Sequence, residues 1–129
     1  MHRLFVYGSL KFGENNHNRI FSDYDIKITS AWTYGKLYDL GWYPALTQGN
    51  NKIYGELIEF DNLEILKKVD YLEGYRGEIS NFNFYDRMEI IVFTDKNEFT
   101  AWTYFLNKCK IKESDGELIT SGVWSKYRY

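Results

Sequence analysis

One cysteine, one proline and two histidines in 129 residues each remove a class of answer. The lone Cys109 cannot close an internal disulfide, which fits a reducing compartment. As a nucleophile it would need an activating base, but His2 and His17 lie far off in sequence, and its flanking Lys108 and Lys110 read as the exposed end of a strand. These three residues also lack the ligand spacing of a zinc or iron site, so neither a metal nor another cofactor is expected. No apolar run is long enough to span a bilayer, and Met1-His2-Arg3 leads into a strand without a cleavable signal pattern, so a cytoplasmic location is expected. Charge of one sign is lacking too. With a formal net charge of −2 and interspersed signs, nothing draws the chain to nucleic-acid phosphates or anionic membranes. Repeats, low-complexity tracts and Pro/Ser-rich linkers are missing, so residues 1–129 read as a single domain.

Aromatic residues are plentiful, at twelve Tyr, nine Phe and four Trp, and they favour strands and a core or pocket wall built from rings. Apolar and polar residues alternate over 31–38, 52–60 and 88–93, and over 99–106 after the turn signal 94–97, which predicts strands. The run Leu4-Phe5-Val6 predicts a further short one. Between the third and fourth strands the period changes. Leu63, Leu66, Val69 and Leu72 share one helical face, with Asp61 and Glu64 spaced as a capping box and Gly74 as the stop. A short helix is also expected near residues 15–20. Several strands joined by short connections, with one good helix, predict an α+β fold in which a mostly antiparallel sheet curls into a barrel.

Two places carry candidate chemistry. Strand residues run into Tyr7-Gly8-Ser9-Leu10, where a glycine lets the backbone approach a ligand and N–H groups could hold an anion; a plain turn would read the same way. Glu73 stands in the last helical turn, where unpaired carbonyls favour cations. That placement, with burial by neighbouring Tyr residues, would raise its pKa toward a value useful for proton transfer, whereas an exposed Glu would merely tolerate the position. Glu78, in the loop beyond the helix, and Glu56, on a strand, are rivals. Arg87 could neutralise a ligand carboxylate but reads better as a structural partner of an acid. The polar run 13–18 reads as a solvated loop, and Pro44 as a cavity rim or an ordinary turn.

Taken in order, Val6-Tyr7-Gly8-Ser9-Leu10, Gly41-Trp42-Tyr43-Pro44-Ala45, Tyr54-Gly55-Glu56-Leu57, Val69-Asp70-Tyr71-Leu72-Glu73-Gly74-Tyr75 and Tyr85-Asp86-Arg87 resemble the γ-glutamylcyclotransferase-like (AIG2-like) superfamily. The later Ala101-Trp102-Thr103-Tyr104 and Ser121-Gly122-Val123-Trp124 also look like its small bacterial members. The resemblance implies a small, partly open, mostly antiparallel β-barrel with flanking helices and a cavity for a small-molecule γ-glutamyl substrate. It implies Glu73 as catalytic acid/base and a binding loop of Tyr7, Gly8, Ser9 and Leu10. Tyr7 and Tyr85 would be pocket walls able to donate from their hydroxyls, or core residues with satisfied hydroxyls. The implied reaction closes a γ-glutamyl group to 5-oxoproline and releases its amine; a relative that removes a γ-glutamyl protecting group would share it. A binding or regulatory domain that keeps the cavity without turnover is the alternative. The aromatic tail 124–129 would allow a homodimer surface.

Overall fold

The computed structural model describes residues 1–41, 43–78, 82–107, 110 and 116–125. In chain order the elements are β1 (His2–Val6), α1 (His17–Phe21), β2 (Lys27–Asp39), β3 (Pro44–Phe60), α2 (Glu64–Glu73), β4 (Tyr85–Phe93), β5 (Glu98–Leu106) and β6 (Glu117–Leu118). The strand order β3-β1-β5-β4-β2 returns to β3 through a β3–β2 pairing, so five strands form a closed barrel, with β6 on β2. All its pairings are antiparallel except β1 with β5.

Two seams of the ring are thin. Leu4 opposite Trp102 is the single bridged pair between β1 and β5, and Trp32 opposite Phe93 the single pair between β2 and β4. Side chains reinforce both. Thr103 Oγ1 donates to the Phe5 carbonyl at 3.0 Å across the first. Thr33 Oγ1 donates to the Ile91 carbonyl at 2.8 Å across the second, where the Trp32 and Phe93 rings stack at 4.4 Å. Threonine serves here because its hydroxyl reaches a neighbouring carbonyl that the ladder leaves open.

Period-2 alternation places the core. In β1, Leu4 and Val6 join a cluster with Ile20 and Phe21 of α1 and Ile65, Leu66 and Val69 of α2. The intervening Phe5 joins residues from all four other barrel strands, among them Leu37, Leu57, Val92 and Phe105, which fill the barrel interior. β1 is therefore buried on both faces, which is why it reads as a continuous apolar run rather than an alternating one.

α2 departs from expectation at its start. Its first helical residue is Glu64, whose N–H is held by Asn62 Oδ1 at 2.9 Å rather than by Asp61. Asp61 is mostly exposed, 3.7 Å from the N-terminal ammonium. Leu63, expected on the buried face, precedes the helix and is half exposed, and Ile65 takes the core place. The far end is as expected. Gly74 caps in the left-handed region at φ 71°, and the Tyr75 N–H reaches back to the Asp70 carbonyl at 2.9 Å. Cys109 and Trp42 lie outside the described residues.

Candidate active site

A cavity of about 370 Å³ opens where β1 ends, bounded by the loop after β1, the last turn of α2 and the first residues of β3 and β4. Tyr7, Gly8, Ser9, Leu10, Glu73 and Tyr85 all line it, so residues far apart in sequence meet at one place. Pro44, Tyr43, Phe84, Asn16 and Tyr104 complete much of the wall.

The loop after Tyr7 is arranged by what its carbonyls do. Lys11 N–H donates to the Gly8 carbonyl at 3.0 Å and Asn16 N–H to the Ser9 carbonyl at 2.9 Å. His17 Nδ1 lies 2.8 Å from the Leu10 carbonyl and must carry the proton to donate to it. Three successive carbonyls are thus tied to the protein's own donors, while the N–H groups of Gly8, Ser9 and Leu10 donate to no described residue. Open backbone amides in a row can hold an anion. Ser9 Oγ accepts from Asn16 Nδ2 at 2.9 Å, which leaves its own proton to donate elsewhere.

His17 and Asn16 were missed by the solvated-loop reading of 13–18. His17 is buried between the rings of Phe12 and Phe21, at 5.4 and 5.0 Å. The sequence signal was present as Ile20-Phe21, an apolar pair one turn after His17, which forces that side of α1 inward. Gly8 is required by packing: a Cβ there would stand 2.5 Å from Pro44 Cγ. Pro44 is accordingly part of the cavity rim.

Glu73 is half-buried in the wall, and no described residue makes a hydrogen bond or ion pair to its carboxyl. Burial raises its pKa from 4.5 to about 7. Desolvation of the charged form is the cause. The rival acids stand elsewhere. Glu56 Oε1 accepts the Phe12 N–H at 2.7 Å and pins the loop after β1 from outside the cavity. Glu78 is exposed and contributes its backbone carbonyl to Asn83 Nδ2 at 2.7 Å.

The tyrosines correct one expectation. Tyr7 donates its hydroxyl proton to the Tyr104 carbonyl and Tyr85 donates its own to the Pro44 carbonyl, both at 2.6 Å. Each phenol has one proton to give. Neither is therefore a free donor to a ligand; each is cavity wall and satisfied core residue at once. Burial, and then neighbouring charge that includes Glu73, pushes both phenols above their ordinary pKa, so they stay protonated. The Tyr85 oxygen remains as an acceptor, whereas that of Tyr7 already meets the Leu46 backbone amide.

Behind the wall, Arg87 is structural, as read. Its Nη1 meets Asp70 Oδ2 at 2.8 Å, and its guanidinium lies 5.2 Å from the Tyr75 ring centre and 4.6 Å from that of Trp102. Asp86, which sequence reasoning left without a role, is buried and accepts from Asn83 Nδ2 at 2.8 Å and Asn107 Nδ2 at 2.7 Å, tying the segment before β4 to the end of β5. Trp124, expected to support a dimer surface, is instead 1% exposed, packed into the barrel core. Among the described residues no cluster of His, Cys, Asp and Glu could hold a metal, and no helix is long and apolar enough to cross a membrane.

Residues 4–126 match the family model described as gamma-glutamyl cyclotransferase, AIG2-like. The chain is 35% identical over 129 residues to the gamma-L-glutamyl-butirosin B gamma-glutamyl cyclotransferase of Niallia circulans, covering 99% of this chain and 78% of that one. Among solved structures it is similar to YkqA from Bacillus subtilis, with a TM-score of 0.70 and 28% identity over 95% of this chain, which spans 39% of that longer one. An AIG2-like protein from Mus musculus shares the fold, with a TM-score of 0.75 at 21% identity, over 97% of this chain and 88% of that one.

Proposed function

The chain belongs to the gamma-glutamyl cyclotransferase, AIG2-like family, and from that premise we propose that it cyclises a γ-glutamyl amine or γ-glutamyl-amino acid to 5-oxoproline, with Glu73 as general base and acid. The single observation that carries this reading is a carboxyl raised to about 7 by burial, in one cavity with the open amides of Gly8, Ser9 and Leu10.

In the first step Glu73 takes a proton from the substrate's α-ammonium. The freed amine attacks the γ-carbonyl carbon, and the new C–N bond closes a five-membered ring through a tetrahedral oxyanion. Glu73 then returns the proton to the departing nitrogen as its C–N bond breaks, and the regenerated carboxylate takes the second proton from the ring nitrogen and passes it to the released amine, which leaves as the ammonium. Atoms balance without water or an oxidant. A carboxyl with a pKa near the working pH is competent both to take and to return that proton. Because the attack is intramolecular, the protein's main task is to hold the bent conformer. The loop amides support this by binding substrate oxygens and the developing oxyanion, and the phenol oxygen of Tyr85 is an acceptor suited to the α-ammonium.

The likeness to the Niallia circulans protein supports an amine released from a γ-glutamyl-protected small molecule as one form of the substrate. The test is incubation with a panel of γ-glutamyl-amines and γ-glutamyl-amino acids, with 5-oxoproline read by mass spectrometry. Wild type is expected to form product, and Glu73→Gln to lose about 10²- to 10⁴-fold in kcat, the usual worth of general acid–base catalysis. Full activity in Glu73→Gln would remove the assigned base. Binding without turnover by wild type, unchanged in Glu73→Gln, would mark a binding domain instead.

A further inference from the structure

We infer that Asp70 is a positioning residue, which through Tyr104 sets the separation between the Glu73 carboxyl and the amides of the 8–10 loop. The inference rests on the reaction proposed above. Asp70 and Glu73 are three residues apart on α2, one turn from each other on the same side. The Asp70 carboxylate is held at both oxygens, Oδ2 by Arg87 Nη1 at 2.8 Å and Oδ1 by the Tyr104 hydroxyl at 2.5 Å.

Tyr104 is bonded at its other end as well, where its carbonyl accepts the Tyr7 hydroxyl at 2.6 Å. Tyr7 directly precedes Gly8. Two hydrogen bonds through one residue of β5 therefore join the turn that carries the proposed base to the loop that would hold the substrate's oxygens. The strut is stiff at its helical end. The Tyr75 N–H donates to the Asp70 carbonyl at 2.9 Å, fixing the chain just past Glu73, and Arg87 is kept from swinging by the rings of Tyr75 and Trp102 on either side. Neither Asp70 nor Arg87 lines the cavity, so their effect on turnover must pass through this strut. An error of about 1 Å between a catalytic group and its substrate costs roughly 100-fold.

A merely stabilising ion pair would make a different prediction. Removing one partner of such a half-buried pair leaves an uncompensated charge and lowers stability, with no change in kcat while the protein remains folded. The decisive variant is therefore the double substitution Asp70→Ala with Arg87→Met, which cuts the strut without leaving a lone charge. It is compared with Tyr104→Phe, which removes only the hydroxyl, and with Lys67→Ala, an exposed change on the same helix. All are assayed well below their melting temperatures.

Both strut variants are expected to lose 10- to 100-fold in kcat with KM within threefold of wild type, and to keep the rise of the pH–rate profile near 7. Lys67→Ala is expected to match wild type. The amide chemical shifts of Gly8, Ser9 and Leu10 in the unliganded double variant give a readout free of turnover, and they are expected to move. Retention of kcat within twofold, or unmoved loop amides in the folded double variant, would overturn the inference while leaving the proposed reaction standing. If wild type forms no 5-oxoproline from any substrate, the reaction is what fails, and the loop shifts alone decide on the strut.

Discussion

A carboxyl held at about 7 is a burden on the folded state at neutral pH. Below about 4.5 Glu73 is protonated in both folded and unfolded chains, and its burial costs nothing in charge. As pH rises the unfolded chain releases its proton first, so the unfolded state binds fewer protons and stability falls until the folded-state carboxyl also ionises, near 7. Converted at about 1.4 kcal/mol per unit, the full penalty is at most about 3.5 kcal/mol, reduced by the exposure that Glu73 retains. Glu73→Gln is therefore expected to stabilise the protein at pH 8 and to leave it unchanged at pH 4, in paired urea denaturation series. An equal effect at both values would mean that burial of charge is not what lifts this pKa. With Glu73 as the proposed base, kcat/KM is expected to rise with pH through about 7, as the base form appears in the free enzyme. At this scale the sequence was informative about Glu73, because Leu-Glu-Gly after an amphipathic helix fixes its place at the helix end. It was uninformative about Tyr7 and Tyr85, whose acceptor carbonyls lie 97 and 41 residues away.

At the scale of elements, α2 was legible wherever one side chain suffices. Its apolar face and its Gly74 stop follow from local chemistry, whereas its start does not, because Asp61 and Asn62 are both competent caps and the approach of the N-terminal ammonium to Asp61 is not local. The segment 121–125 shows how a piece without regular structure still supports the site. The Gly122 carbonyl accepts the Tyr54 N–H at 2.9 Å, the Trp124 carbonyl accepts Lys11 Nζ at 2.6 Å, and Ser125 Oγ donates to Glu14 Oε2 at 3.2 Å, so it braces the chain between the loop after β1 and α1. Gly122 makes this return feasible: its φ is +75°, and a Cβ would stand 2.1 Å from the Lys52 carbonyl oxygen. Gly122→Ala is expected to lose about 1–3 kcal/mol from overpacking beyond the left-handed backbone penalty. Gly77→Ala isolates that penalty, since Gly77 has φ +99° and no described residue within 4 Å of its Cβ position. Equal losses in the two variants, measured by urea unfolding, would show that the contact with Lys52 carries no weight.

For the whole molecule, alternation in 31–38, 52–60, 88–93 and 99–106 foretold the strands but not how they close, since the ring is completed by two single bridged pairs and the threonine bonds beside them. Closure brings the end of β1, the end of α2 and the starts of β3 and β4 to one mouth, and so decides which charges a substrate meets. Among the described residues lining the cavity there is no Lys, Arg or His, and Glu73 is the one carboxyl. In the proposed reaction the α-carboxylate of the γ-glutamyl group is received by the loop amides. A second carboxylate on the leaving group, as in a γ-glutamyl-α-amino acid, would meet no cation among the described residues of that wall and would share the cavity with the ionised form of the proposed base. Two like charges about 6 Å apart at an effective dielectric constant near 20 repel by roughly 3 kcal/mol, and water at the open mouth screens part of that. A γ-glutamyl-alkylamine is therefore expected to exceed γ-glutamyl-alanine in kcat/KM by about 10- to 100-fold. The gap is expected to narrow for γ-glutamyl-alanine amide, which has the same shape without the charge. Equal rates for the alkylamine and the free acid, measured as 5-oxoproline formed, would mean that a cation reaches the leaving group from outside this wall.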